Sequence, residues 1–191
     1  MRKALAVLIM ISVCSIYFIA MKNRDPVTEV KSIDIEETIE GASTVAIDAI
    51  IEAIERQYPE TPRLLMEMNN QIMEVQYSDD WAVDSEVEKQ TLYALRLLFS
   101  EELLALNKYE KQFEHLRAEL IKNHAESIYL EGSQIESINF LTPDDAFVEV
   151  LYKTTKGAQK RQYTLVKEDG LWKIYSWKDF ELMNGDSNLE E

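Results

Sequence analysis

Histidine, cysteine and glycine are scarce in this chain of 191 residues, which holds 2, 1 and 5 of them. One cysteine excludes an intrachain disulfide framework and any metal site built from several thiolates. The two imidazoles, His115 and His124, have no cluster of ligands around them, so neither a zinc site nor a cofactor is expected. The glycines stand at 41, 132, 157, 170 and 185, too far apart for a loop that wraps a phosphate, and this excludes the nucleotide-binding motifs. Basic residues are few as well: 20 against 35 acidic ones, for a net charge of −15. Four of the basic residues precede Asp25 and no acidic one does, so the remainder sets 16 against 35. Such a body repels DNA, RNA and anionic lipid, and nucleic acid is excluded as a partner.

What is abundant is apolar. Hydrophobic residues make up 46% beside 29% charged, a balance that favours a folded domain over disorder. Residues 4–21 carry no charge and lie between Arg2-Lys3 and Lys22-Asn23-Arg24. Eighteen helical residues span about 27 Å, close to the ~30 Å hydrocarbon core of a bilayer. Three fates compete for residues 1–24: an uncleaved anchor, a signal peptide cut after Val13-Cys14-Ser15, and a lipoprotein modified at Cys14. The apolar run exceeds a usual signal core, which favours the anchor. The flanking charges nearly balance, and the short leading tail favours an extracytoplasmic body. Residues 25–42 are acidic without steady periodicity and read as a linker; residues 181–191 read as an acidic disordered tail.

Between them, from residue 43 to 180, the period changes once. Ile47, Ile50, Ile54 and Tyr58 recur at helical spacing until Pro59. Thr61-Pro62 opens a second helix with Leu65, Met68, Ile72 and Val75 on one stripe. Ser85 and Glu88 have the spacing of a capping box ahead of Leu92, Leu95, Leu98 and Phe99. Ser100-Glu101-Glu102 begins a short turn, and Asn107 with Glu110 repeats the capping spacing before Tyr109, Phe113, Leu116 and Leu120. From about residue 125 the pattern is extended: Glu126–Glu131, Gln134–Leu141 and Phe147–Lys153 are strand candidates, the last with clean alternation. Asp169-Gly170 is the strongest hairpin signal. Helices followed by four to five antiparallel strands read as α+β, with the helices covering one sheet face.

The run Glu168-Asp169-Gly170-Leu171-Trp172-Lys173-Ile174 resembles the last hairpin of the nuclear transport factor 2-like superfamily, whose domains are cones of helices packed into a curved antiparallel sheet. The segments 58–63 and 98–104 are similar to those of a family of uncharacterised membrane-anchored proteins from Gram-positive bacteria. That superfamily holds isomerases, dehydratases and many non-enzymes, so the resemblance implies a fold and no activity.

On such a cone, Tyr163, Tyr175 and Trp177 are candidates to line a pocket, against the alternative that they are simply core. His124 extends the stripe of Leu116 and Leu120. It is either a histidine held by the helix C-terminal dipole or a general base in the pocket. Residues 153–178 hold seven basic side chains against Glu168 and Asp169, and a hairpin tip would project Lys156, Lys160 and Arg161 toward an acidic partner. The expected function is that of a membrane-anchored extracytoplasmic binding or interaction domain, with an envelope protein or a small ligand as partner. The alternative is an isomerase- or dehydratase-like enzyme working from the pocket, and a third reading is a structural part of an envelope complex. No oligomeric state follows from the sequence. If residues 4–21 anchor the chain, fractionation and N-terminal mass measurement will find it intact in the membrane; a soluble form beginning after residue 15 would rule the anchor out.

Overall fold

The computed structural model describes residues 35–80 and 86–181. The anchor at 4–21, Cys14, the cap at Ser85, the first part of the 25–42 linker and nearly all of the 181–191 tail lie outside the described residues. Among the described residues five helices come first: α1 Ile35–Arg56, α2 Pro62–Gln76, α3 Glu86–Leu97, α4 Glu101–Leu106 and α5 Tyr109–Ala125. Four strands follow: β1 Leu130–Phe140, β2 Asp145–Thr154, β3 Gly157–Glu168 and β4 Leu171–Glu181. They form one antiparallel meander in sequence order. The class is therefore α+β, helices packed on a four-stranded sheet. Among the described residues no helix is long and apolar enough to cross a membrane.

Several boundaries differ from the sequence expectation. α1 begins at Ile35, inside the segment read as a linker. The segment holds Glu36, Glu37 and Glu40, and glutamate is a good helix former. Gly41 sits inside that helix, where one glycine costs about 1 kcal/mol relative to alanine and does not stop propagation. The two strand candidates at 126–131 and 134–141 are one strand, β1, with register shifts at Leu130/Gly132 and Ile135/Ser137. Gly132 marks an irregularity in that strand, not a break.

Local chemistry explains most of the ends. Thr61 Oγ1 accepts the Leu64 amide at 3.2 Å, and Pro62 occupies the first helical position. Ser100 Oγ caps α4 by accepting from Leu103 N at 3.1 Å. Asn107 does not cap α5; its Nδ2 donates to the Leu103 carbonyl at 2.9 Å and so closes α4. Lys108 takes the position before α5 without a side-chain cap. Asp169 and Gly170 have φ of 51° and 82°, as the two-residue hairpin requires.

The sheet buries one face. Along β2, Ala146, Val148, Val150 and Tyr152 are buried while Phe147, Glu149 and Leu151 stay half-buried. Cross-strand pairing extends this face as rows. One is Phe140, Ala146, Leu165 and Ile174; the next is Ile138, Val148, Tyr163 and Trp177; the third is Ile135, Val150, Arg161 and Asp179. Leu65, Met66, Ile72, Leu98 and Ile47 join the apolar rows in a single core. A register shift between Thr164 and Leu165 pairs Leu165 with Ile174 and Thr164 with Ser176, leaving Tyr175 unpaired in β4. That bulge reverses the alternation, so Trp172 and Trp177 reach the same face although five residues apart. Residues 98–100 lie along β4, with Ile174 N donating to Leu98 O at 2.8 Å and Ser100 N to Ile174 O at 2.9 Å. They cover part of an edge that would otherwise offer unpaired backbone.

Trp172 is 4% exposed, between the Phe140 ring and the Lys167 ammonium, and its carbonyl accepts from Tyr58 Oη at 2.9 Å. Truncating a buried aromatic costs about 3–5 kcal/mol, a large share of the roughly 5–15 kcal/mol that holds a domain together. Trp172→Ala is expected to unfold the domain or sharply lower its urea midpoint; an unchanged midpoint would contradict this packing.

Candidate ligand cavity

A cavity of about 470 Å³ opens between α2, α3, α5 and the sheet. Its apolar wall comes from Leu92 and Leu95 of α3, Phe99 and Leu116. Its floor is the polar end of the sheet: Arg161 and Tyr163 of β3 with Trp177 of β4. Asn69 and Gln76 of α2 look in from one side, and Lys108, Lys111, His115 and Glu119 from the other. A smaller cavity of about 330 Å³ lies beyond Arg161, among Tyr129, Tyr152, Lys156 and Gln159. Tyr77, Glu119 and Arg161 border both, and Tyr77 Oη donates to Glu119 Oε1 at 3.1 Å.

Strand alternation puts Arg161 on this floor. Tyr163 and Leu165 face the helices, so the residue two before Tyr163 must do so as well. The guanidinium is held by Asp179 of the neighbouring strand through Nε to Oδ1 and Nη2 to Oδ2, the latter at 3.1 Å. The rings of Tyr152, Tyr163 and Trp177 surround it, with centroids 5.7, 6.0 and 5.9 Å from its carbon. Burial works against the charge on Arg161, but Tyr163 and Asp179 outweigh it and hold the group above its ordinary value. The guanidinium is thus a fixed cation, locked in place by a fork-to-fork pair.

Behind the floor lies a network of tyrosines and asparagines. Tyr152 Oη donates to Asn70 Oδ1 at 3.0 Å and stands 2.7 Å from Tyr163 Oη. Having spent its one proton on Asn70, Tyr152 must accept from Tyr163. Asn69 Nδ2 lies 3.3 Å from both phenol oxygens. Asn69 and Asn70 are 2% and 6% exposed, and polar groups so deep persist because they are partnered. Gln76 departs from that rule: it is 3% exposed, and among the described residues its Oε1 has no hydrogen-bond partner.

The residues singled out from sequence separate into groups. Tyr163 and Trp177 do line the larger cavity. Tyr175 does not; it is the bulged residue of β4, and its hydroxyl donates to Glu102 at 2.9 Å. His124 is exposed in the last turn of α5, its Nδ1 3.4 Å from Tyr129 Oη, and borders neither large cavity. The buried part of that helix stripe ends at Leu120. Lys156 lies in the β2–β3 turn as expected and borders the smaller cavity. Lys160 and Arg161 are not at a hairpin tip. They sit within β3 opposite Leu151 and Val150, on opposite faces, and Lys160 is paired with Glu136. A change at Arg161 would therefore disturb the interior, contrary to the expectation that a hairpin tip projects it outward. Asn69, Gln76, Lys108 and Lys111 were missed altogether. Among the described residues no group of three His, Cys, Asp or Glu side chains converges on a metal-sized site.

Burial, then the neighbouring Tyr163, push the Tyr152 phenol well above its ordinary value of 10.0. A phenol with a raised pKa in the fold stays protonated there when the unfolded chain has already lost its proton. Its contribution is complete below about pH 10 and fades as pH rises above that. Urea midpoints should fall between pH 9 and pH 11. Tyr152→Phe should start lower, by about 1–3 kcal/mol for the orphaned amides, yet fall less steeply. Equal slopes for both proteins would show that Tyr152 does not contribute to the alkaline loss.

Comparison with solved structures finds partial likenesses. One is a DUF4783 family protein from Bacteroides ovatus, with 15% identity over 38% of this chain and 61% of that chain, at a TM-score of 0.31. Another, from Campylobacter jejuni, is described as an NTF2-like transpeptidase, with 16% identity over 58% of this chain and 96% of that one, at a TM-score of 0.38. The chain thus spans about three-fifths of the first of them. No functionally curated protein matches it. A family match, however, runs through residues 1–177, from the apolar start to the last strand, and the chain belongs to the family described as "Domain of unknown function (DUF6715)".

Proposed function

We propose that the domain is a nuclear transport factor 2-like binding module that holds a small ligand in the larger cavity. In this reading residues 4–21 anchor it to the membrane, and the body works outside the cytoplasm, as in the anchored Gram-positive proteins it resembles. One observation carries the ligand part: the ~470 Å³ space has a floor of polar side chains held in place by the fold's own hydrogen bonds. Small-molecule sites fall at roughly 300–1,000 Å³ and are lined by apolar walls with a few placed polar groups. Arg161 pinned by Asp179, and Tyr163 pinned by Tyr152, supply such groups in fixed positions. Preorganisation of that kind lowers the cost of binding.

The rival readings have less support. For docking through the β2–β3 hairpin, Lys160 and Arg161 are engaged with Glu136 and Asp179, while Lys156 stands in the turn. Of the acid–base groups considered for catalysis, His124 stands outside the larger cavity. Ala105 borders the cavity from an exposed position in α4, so Ala105→Trp is expected to obstruct the cavity and leave the melting temperature within a few degrees. The full chain should bind 8-anilinonaphthalene-1-sulfonate with a rise in dye fluorescence, and the variant should bind it at least about tenfold more weakly. Equal binding by the two proteins, or none by the wild type, would set the cavity reading aside.

A further inference from the structure

Arg161 is engaged on one edge only. A guanidinium carries five N–H groups, arranged so that two separate edges can each offer a parallel pair. Asp179 takes the edge formed by Nε and Nη2. The second edge, formed by Nη1 and the remaining N–H of Nη2, is left over. Nη1 makes no hydrogen bond among the described residues and is not closed off from solvent, whereas Gln76 Oε1 is closed off. The Arg161 side chain is 16% exposed and borders both cavities. It is a cation held in one orientation, with an unused pair of donors that a group in the adjoining space can reach.

The surroundings say what such a group would be. The rings of Tyr152, Tyr163 and Trp177 pack around the guanidinium and leave little room for water. A charge-assisted hydrogen bond made there is stronger than one made in open solvent. The chain carries −15, yet the cationic side chains bordering the two cavities are Lys108, Lys111, Lys156 and Arg161, against Glu119 alone among the described acidic ones. Glu119 already accepts from Tyr77. Asp179 cancels one unit of charge, so a monoanion suits this place better than a dianion. A carboxylate is planar and matches a guanidinium edge with two parallel bonds. Beside it, the Trp177 indole touches Phe99 and Tyr163 and is still 39% exposed where it borders the larger cavity. A ring of the ligand could cover that indole, with Leu92 and Leu95 continuing the apolar wall.

The geometry points to an aromatic carboxylate as the ligand of the larger cavity, an inference that rests on the cavity reading above. The carboxylate takes the free edge of Arg161, and the ring lies along Trp177, Leu92 and Leu95. Arg161 selects the charge, and Asp179 positions Arg161. The lysines at 108, 111 and 156 are bystanders.

The test compares 2-naphthoate with 2-naphthamide, which has the same shape without the charge, by calorimetry on the full chain at pH 8, where histidine is neutral. The wild type should bind the naphthoate at least about tenfold more tightly than the amide. Arg161→Lys keeps a cation but loses the fork, and should bring the naphthoate down to the level of the amide while leaving the amide unchanged. Should that variant fail to fold, Lys108→Ala/Lys111→Ala/Lys156→Ala decides the matter, because Arg161 is then the remaining cation bordering either cavity among the described residues. Most of the preference for naphthoate should survive in this triple variant, with its melting temperature within a few degrees of the wild type. Equal affinity of the wild type for the two probes, no binding of either, or loss of the preference in the triple variant would overturn the inference. The dye experiment on Ala105→Trp is read separately, so a cavity that binds dye but does not prefer the naphthoate leaves the binding reading standing and removes only the ligand class.

Discussion

Arg161 has to face the helices. The pleat allows no other orientation once Tyr163 and Leu165 are committed to the core, and a guanidinium cannot be packed over as a leucine can. Everything at that end of the sheet answers to this. Asp179 must stand opposite on β4, the phenols of Tyr152 and Tyr163 must flank it, and α2 must present Asn69 and Asn70 where the first row of the sheet receives Leu65 and Met66. The sheet face thus grades from apolar, at Ala146, Leu165 and Ile174, to polar, at Arg161. Helices close against the first part. Two cavities flank the second.

The Tyr175 bulge makes that gradient continuous across β4. With strict alternation, Trp172 and Trp177 would lie on opposite faces, and either the core or the cavity floor would lose its indole. The inserted residue rotates the rest of β4, so Trp177 and Asp179 join the rows of Tyr163 and Arg161. A bulge costs a pair of ladder bonds and increases local twist. Here it places one large ring against Phe99 and in the same row as Tyr163.

Elements whose signals are local were readable in the sequence. Thr61-Pro62, Ser100 and Asp169-Gly170 act through groups within three residues of themselves, and each does what its chemistry predicts. The stripe of α3 and the alternation of β2 likewise match their buried faces, whereas on α2 Leu65 and Ile72 are buried but Met68 and Val75 are only half-buried, the buried face running through Met66, Asn69 and Met73 as well. Signals that depend on pairing were not readable. Extending the Phe147–Lys153 alternation into β3 would have required knowing that Tyr163 is opposite Val148, and the bulge at Tyr175 has no composition of its own. Asn107 shows the limit even for local rules: it can cap the helix ahead or close the one behind, and the second wins because α4 ends within reach of its amide. The cavity is less legible still, since Asn69 and Gln76 lie on a helix whose stripe gives no reason to place amides inside.

Those amides sharpen the distinction between structure and site. Asn69 and Asn70 are buried but satisfied, and they serve the sheet by holding two phenols in place. Gln76 is equally buried, and among the described residues its Oε1 has no hydrogen-bond partner. The start of α5 is a second departure, since Lys108 gives it no side-chain cap, although Glu110 stands in its first turn. Both departures border the same space, on elements that are otherwise locally consistent. Proteins tolerate such conflicts where function requires them and offset the cost elsewhere. In this domain the offset comes from the apolar rows around Leu165 and Ile174, which leave the polar end of the sheet able to stay open.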